Sequence, residues 1–172
     1  MKPLLKITTI VAVLSFVSTA LIGQEVKFGF LNSALILAEM PEVKQADANL
    51  EALEKQLQKR GQGMVEKLQQ DYAAAQAKME RGELSRIQQE EEAKKLEDRQ
   101  MEIARYEQEM IQQVQEKRNE LLEPIYAKVN EAISSVAKEN GYKMIFDASV
   151  LLYKDDAMDV SNLVKAKLGL QN

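Results

Sequence analysis

The chain has 172 residues, 45% of them apolar, and contains no Cys, no His and no Trp. Those absences exclude disulfides, thiolate metal sites, a Cys nucleophile and a histidine base, and no G-x-x-x-x-G-K-[ST] phosphate loop is present to support ATP hydrolysis. With 23 basic and 27 acidic side chains the net charge is −4, which argues against nucleic-acid binding.

Residues 1–23 read as a cleaved signal peptide. Lys2 and Lys6 supply a positive start, Ile7 to Leu14 an apolar core, and Ser18-Thr19-Ala20 a small-residue cleavage site. The apolar run is shorter than the roughly 20 residues that a spanning helix needs. Cleavage leaves 21 basic and 27 acidic side chains, a net of −6, so contact with an anionic membrane is not expected.

Val26, Phe28 and Phe30 alternate along a strand, Asn32 can cap a short helix through Leu35 and Leu37, and Pro41 suits the first turn of the next helix. From Glu42 the pattern is helical. Val43, Leu50, Leu57 and Met64 recur every seven residues, and Leu68, Tyr72, Ala75 and Met79 continue the stripe. Arg81-Gly82-Glu83 is the turn-like break. Beyond it Leu84, Ile87, Leu96, Ile103, Tyr106, Met110, Val114 and Leu121 form a second stripe. The two stripes predict an antiparallel helical hairpin over 42–123 with its tip near residue 82. Gly61 and Gly63 interrupt good helix formers, each costing about 1 kcal/mol relative to Ala, and mark a candidate hinge in the arm.

After Pro124 the helical pattern resumes through Ile125, Val129, Ile133 and Val136 and stops at Asn140-Gly141. Residues 142–147 read as a strand with Tyr142, Met144 and Phe146 on one face. Val150 to Tyr153 read as its hairpin partner, and Asp159 as the cap of a last helix ending at Gly169. Residues 24–41 and 124–172 thus form a small α/β body, and the fold class is α+β. A body that small, with open strand edges, predicts oligomerisation, with Val26, Phe28, Phe30, Met144 and Phe146 as its apolar positions.

No residue set supports catalysis, a cofactor or a metal. Glu90-Glu91-Glu92 is a solvated helix face, and Gly61-Gln62-Gly63 follows no strand and is no nucleotide fingerprint. Val65, Met101 and Ile111 lie off the stripes and are candidate contacts for a bound chain. A structural coiled-coil adaptor holding one folded partner is the alternative, and it would need a well-ordered tip. Here the distal half is alanine-rich, with Ala73, Ala74, Ala75 and Ala77.

Val26-Lys27-Phe28-Gly29-Phe30-Leu31-Asn32, the charged hairpin, Gly141-Tyr142-Lys143-Met144-Ile145-Phe146-Asp147-Ala148-Ser149 with Val150-Leu151-Leu152-Tyr153, and Asp159-Val160-Ser161-Asn162-Leu163-Val164 together resemble the Skp (OmpH-like) family of periplasmic chaperones. The resemblance implies a homotrimer held by a β-sheet body, with three helical arms around a cavity. It implies an ATP-independent holdase that binds unfolded outer-membrane proteins in transit. The sequence departs from that pattern in charge. Family arms are basic, whereas residues 42–123 here carry 19 acidic and 14 basic side chains, a net of −5.

Overall fold

The computed structural model describes residues 26–170, so the segment read as a signal peptide lies outside the described residues. The elements run β1 (Lys27–Leu31), α1 (Ser33–Glu39), α2 (Pro41–Glu80), α3 (Arg86–Asn140), β2 (Tyr142–Asp147) and α4 (Ser161–Leu168). Two 3-10 turns, Ala148–Val150 and Asp156–Met158, lie between β2 and α4. The α+β class expected from the sequence is the class observed.

Helices α2 and α3 form the arm. At 40 and 55 residues they are roughly 60 and 80 Å long. Pro41 sits in the first turn of α2, where its missing N–H costs nothing. The chain reverses over 81–85, where Gly82 adopts φ +68°. Ser85 then opens α3 with a capping box. Its hydroxyl accepts from the Gln88 N–H, and its own N–H donates to the Gln88 side chain at 2.9 Å.

Pro124 does not interrupt the helix, whereas the sequence reading has the helical pattern resume after it. Helix α3 passes through it, although an interior proline costs about 3 kcal/mol. The packing on either side offsets this. Ile125 and Val129 are buried with Met40 and Ala46 in one cluster, and Leu121 and Leu122 pack against it. A single rigid helix therefore carries the arm into the body.

The body core is Leu31, Ile36, Ala132, Val136, Val160 and Val164, with Tyr142, Ile145, Leu168 and Leu170 packed against it. Asn32 caps α1 through its side-chain oxygen, which accepts from the Leu35 N–H at 3.1 Å. Gly141 and Gly169 close α3 and α4 in the left-handed conformation.

The sheet differs from the sequence reading. β1 pairs with β2, in parallel, across the whole arm, with Phe28 opposite Met144, Gly29 opposite Ile145 and Phe30 opposite Phe146. No hairpin forms after β2. Asp147 ends the strand by accepting the Ser149 N–H at 2.8 Å, and the chain turns at Ala148–Val150 instead of continuing as a strand. Leu152 and Tyr153 are left in solvent. A second correction concerns Tyr142. The register shifts between Lys27 and Phe28, leaving Lys143 as an extra residue. The shift turns the Tyr142 ring to the inner face, beside Gly29. A Cβ at Gly29 would lie 2.9 Å from Val160 Cγ1, so only glycine fits between the strand and that fully buried valine.

Asp147 also ties β2 to α1. Hydrogen bonds from Ser149, and then from the Ser33 hydroxyl and N–H, hold its carboxyl well below the ordinary carboxylate value of 3.8. A carboxylate whose folded pKa is depressed stabilises the fold above its unfolded pKa, and that contribution is lost as pH falls through the folded value. Asp147→Asn is expected to cost about 1–2 kcal/mol at pH 7. The gap between variant and parent in urea unfolding should begin to close as pH drops below 3.8. A constant gap from pH 7 to pH 2 would show that the charge contributes nothing.

An apolar groove along the arm as candidate functional site

The arm seam is sparsely filled. Leu50 and Leu57 of α2 are buried near the body. Midway, the Tyr106 ring of α3 is 4% exposed, and its hydroxyl donates to the Leu57 carbonyl at 3.0 Å. In an α-helix that same carbonyl faces the Gly61 N–H one turn on. A Cβ at Gly61 would lie 3.4 Å from Tyr106 Cε1, an ordinary contact, so Gly61 borders the ring without the ring requiring a glycine there, and the Arg60 guanidinium covers the ring at 5.0 Å. Helix α2 runs unbroken through Gly61 and Gly63, and nothing lies within 4 Å of a Cβ at Gly63. Neither glycine is required by packing.

Beyond Tyr106 the buried apolar side chains of the arm are Ala75 and Leu96. The seven-residue step through Leu50, Leu57 and Met64 lands next on Asp71. Its carboxylate lies between the helices, 3.1 Å from Lys67 Nζ and 3.0 Å from Arg99 Nε of α3. Arg99 pairs with it in charge but is angled away from a hydrogen bond, so the buried Oδ2 accepts none. A charge at a seam position fixes the register of two helices and costs stability. The repeat itself was the signal that could have found Asp71.

Three apolar residues expected in the seam lie outside it. Tyr72 is 52% exposed, Met79 46% and Ile87 69%. The apolar stripe is wider than the contact that one partner helix can cover. Val65, Tyr72 and Met79, spaced by seven, form a second row on α2. Residues so spaced share one helix face, drifting by about 20° per heptad. This row borders shallow grooves along that side of the arm. In one groove Val65 meets Ile103, Tyr106 and Met110 over Gly61, and Met110 and Gln58 continue it to Ile111 and Val114. Toward the tip, Tyr72 and Met79 meet Leu84, Ala93 and Leu96. Of the candidate contact residues, Val65 and Ile111 therefore share one groove. Met101 is exposed and lines none of these grooves.

In the body, the outer face of the sheet leaves Val26, Phe28, Met144 and Phe146 uncovered, at 39–55% exposure. Phe30 differs. The Lys154 ammonium lies 4.8 Å over its ring and its carbonyl accepts the Val160 N–H at 2.8 Å, so the chain itself buries it. Asp155 and Asp159, a conceivable cation site, instead accept the N–H groups of Ala157 and Ser161. No group of three acidic, His or Cys side chains arranged to hold a metal is present among the described residues.

A two-helix arm with an apolar groove, built out from a small sheet-containing body, defines an α+β class whose arm surface is elongated and open. The chain belongs to the OmpH-like family: the family model described as outer membrane protein (OmpH-like) matches residues 27–168. Over 168 residues the chain is 28% identical to an uncharacterized protein of Aquifex aeolicus (strain VF5), covering 98% of this chain and 96% of that one. The crystal structure of a candidate outer membrane chaperone (OmpH-like) from Caulobacter crescentus CB15 matches with a TM-score of 0.72 at 20% identity, over 84% of each chain. That likeness concerns the fold. Membership of that family supports a chaperone role, and not an enzymatic one.

Proposed function

We propose that the protein is an ATP-independent periplasmic holdase, exported by its N-terminal segment, that binds unfolded outer-membrane β-barrel proteins and keeps them from aggregating. It acts as a homotrimer joined through the outer sheet face, with clients held between three arms. The observation that carries this reading is the uncovered row of Val65, Tyr72 and Met79 beside the groove, on an arm whose exposed large apolar side chains otherwise stand singly, at Ile87, Met101 and Ile111. A holdase needs many weak and adaptable contacts, and flexible Met side chains suit that task. Ile111 extends the contact surface toward the body and Met101 flanks it. Gly61 and Gly63 serve as the arm hinge, so that the space between arms adjusts to the client.

Dilution of a urea-unfolded β-barrel protein tests the reading by light scattering. The cleaved protein should suppress scattering without nucleotide. Val65→Ser combined with Tyr72→Ser and Met79→Ser should weaken suppression at least roughly tenfold, since each side chain loses part of an apolar contact. For an acidic client, added salt should leave suppression unchanged or improve it, because like charges are screened. Scattering that is suppressed only with ATP, or not at all, would end the proposal.

A further inference from the structure

The groove has a charge character that the net charge of the chain does not by itself dictate. Its rim carries Glu54, Glu66 and Glu107 near the middle of the arm and Glu92 and Glu97 toward the tip, against the single cation Arg118 at the body end. Glu92 is paired with Lys95 at 2.9 Å. Glu54, Glu66, Glu97 and Glu107 have no ion-pair partner among the described residues. Lys78 of α2 also lies within charge reach of Glu92. Arg60 is engaged over the Tyr106 ring. Lys67 and Arg99, with Arg60 and Glu102, line the opposite side of the arm, where two of those cations hold Asp71. The arm is thus two-sided: an acid-rimmed apolar groove on one side and a cationic strip around Gly63 on the other.

Resting on the holdase reading, we propose that this groove selects extended unfolded segments in which apolar side chains alternate with Lys or Arg, and that it disfavours acidic segments of equal apolar content. An extended segment directs alternate residues to opposite sides. One set can enter the apolar floor made by Val65, Ile103 and Met110, while the other reaches the rim carboxylates. Charge complementarity of this kind gives specificity more than raw affinity. Each exposed pair contributes little, so two or three of them amount to a preference of roughly three- to tenfold, reduced by salt.

Three peptides test this with the full cleaved protein. Each has the same alternating Leu, Val and Tyr residues, with Lys, Glu or Gln at the intervening positions and an uncharged fluorophore. Fluorescence anisotropy at low ionic strength should rank Lys over Gln over Glu, with the Lys peptide roughly three- to tenfold tighter than the Glu peptide. Glu66→Gln with Glu107→Gln should at least halve that ratio and leave the Gln peptide unchanged. Glu109→Gln with Glu116→Gln makes the same charge change away from the groove and should leave the ratio in place. Equal binding of all three peptides overturns the selectivity and spares the holdase reading. A preference that survives the rim variant, or falls equally in both variants, assigns it to overall charge and overturns the site. Binding of none of them, together with no suppression of β-barrel aggregation, overturns both.

Discussion

Phe28→Glu combined with Phe146→Glu should break the proposed homotrimer into monomers and abolish the proposed protection of unfolded clients. The two rings lie on the outer face of a two-stranded sheet whose other face is already filled by Leu31, Ile145 and the body core. Each is 39% exposed, and Val26 and Met144 beside them are more so. A sheet with one apolar face open to water is covered when copies associate. Interface aromatics of this kind are worth roughly 2 kcal/mol or more each, and a carboxylate in their place is desolvated without a partner. Two such changes, repeated at each contact of a trimer, exceed what micromolar association can absorb. Size-exclusion chromatography with light scattering reads the mass directly. The parent should give three times the chain mass and the variant the chain mass, with helical circular dichroism retained because the arm does not depend on this face. A parent that is monomeric at micromolar concentration, or a variant that stays trimeric, would refute the assembly. Phe30 serves as the internal control. Since its own chain buries it, Phe30→Ala should lower the stability of the fold before it affects subunit exchange.

What the sequence disclosed about this molecule was mostly local. The helical repeat, the Asn32 cap and the glycine stops at 141 and 169 each depend on residues within a few positions, and each is visible by eye. The sheet was less legible because its two strands are separated by more than 100 residues, most of them arm, and parallel pairing leaves no turn between partners to signal it. Val150 to Tyr153 has the composition of a strand, but Asp147 diverts the chain before a partner can be reached. Pro124 read as a boundary because propensity weighs against it, whereas burial of Ile125 and Val129 decides in favour of the helix. In the candidate site, the apolar row on α2 was seen as a stripe. Which residues of a stripe meet the partner helix is a question of rotation, and periodicity alone does not answer it. Periodicity therefore places Tyr72, Met79 and Ile87 in the seam, and it carries no sign of the carboxylates that rim the groove around Val65. Asp71 falls on the heptad register, but an apolar stripe does not by itself reveal a charged residue within it.

Tyr106→Ala should unfasten the outer arm. The ring is the largest side chain buried between α2 and α3 beyond Leu57, and its hydroxyl supplies a hydrogen bond to the α2 backbone. Removing an aromatic side chain from a packed site costs about 3–5 kcal/mol, and the lower end suits a two-helix contact that solvent can enter. The cost falls on the segment beyond it, because Ala75, Leu96 and the charged cluster at Asp71 are what remain to hold the helices together there. Local opening of that segment should become roughly 100-fold more frequent, which hydrogen exchange of amides over 58–105 reads directly. Amides of the body core at Val136 and Val164 should keep their protection. Tyr106→Phe isolates the hydrogen bond and should show about 1 kcal/mol of the loss. The glycines give the opposite sign. Gly61→Ala places a methyl at ordinary contact distance from Tyr106, and Gly63→Ala meets nothing, so the pair should gain about 1–2 kcal/mol of helix propensity. That variant should slow exchange over 58–95 and hold large clients less well than small ones, because a stiffer arm cannot splay to enlarge the space between subunits. In the parent, amides over 58–95 should exchange faster than those over 43–56 and 103–120. Uniform protection along the arm, unchanged by either substitution, would leave the hinge without support.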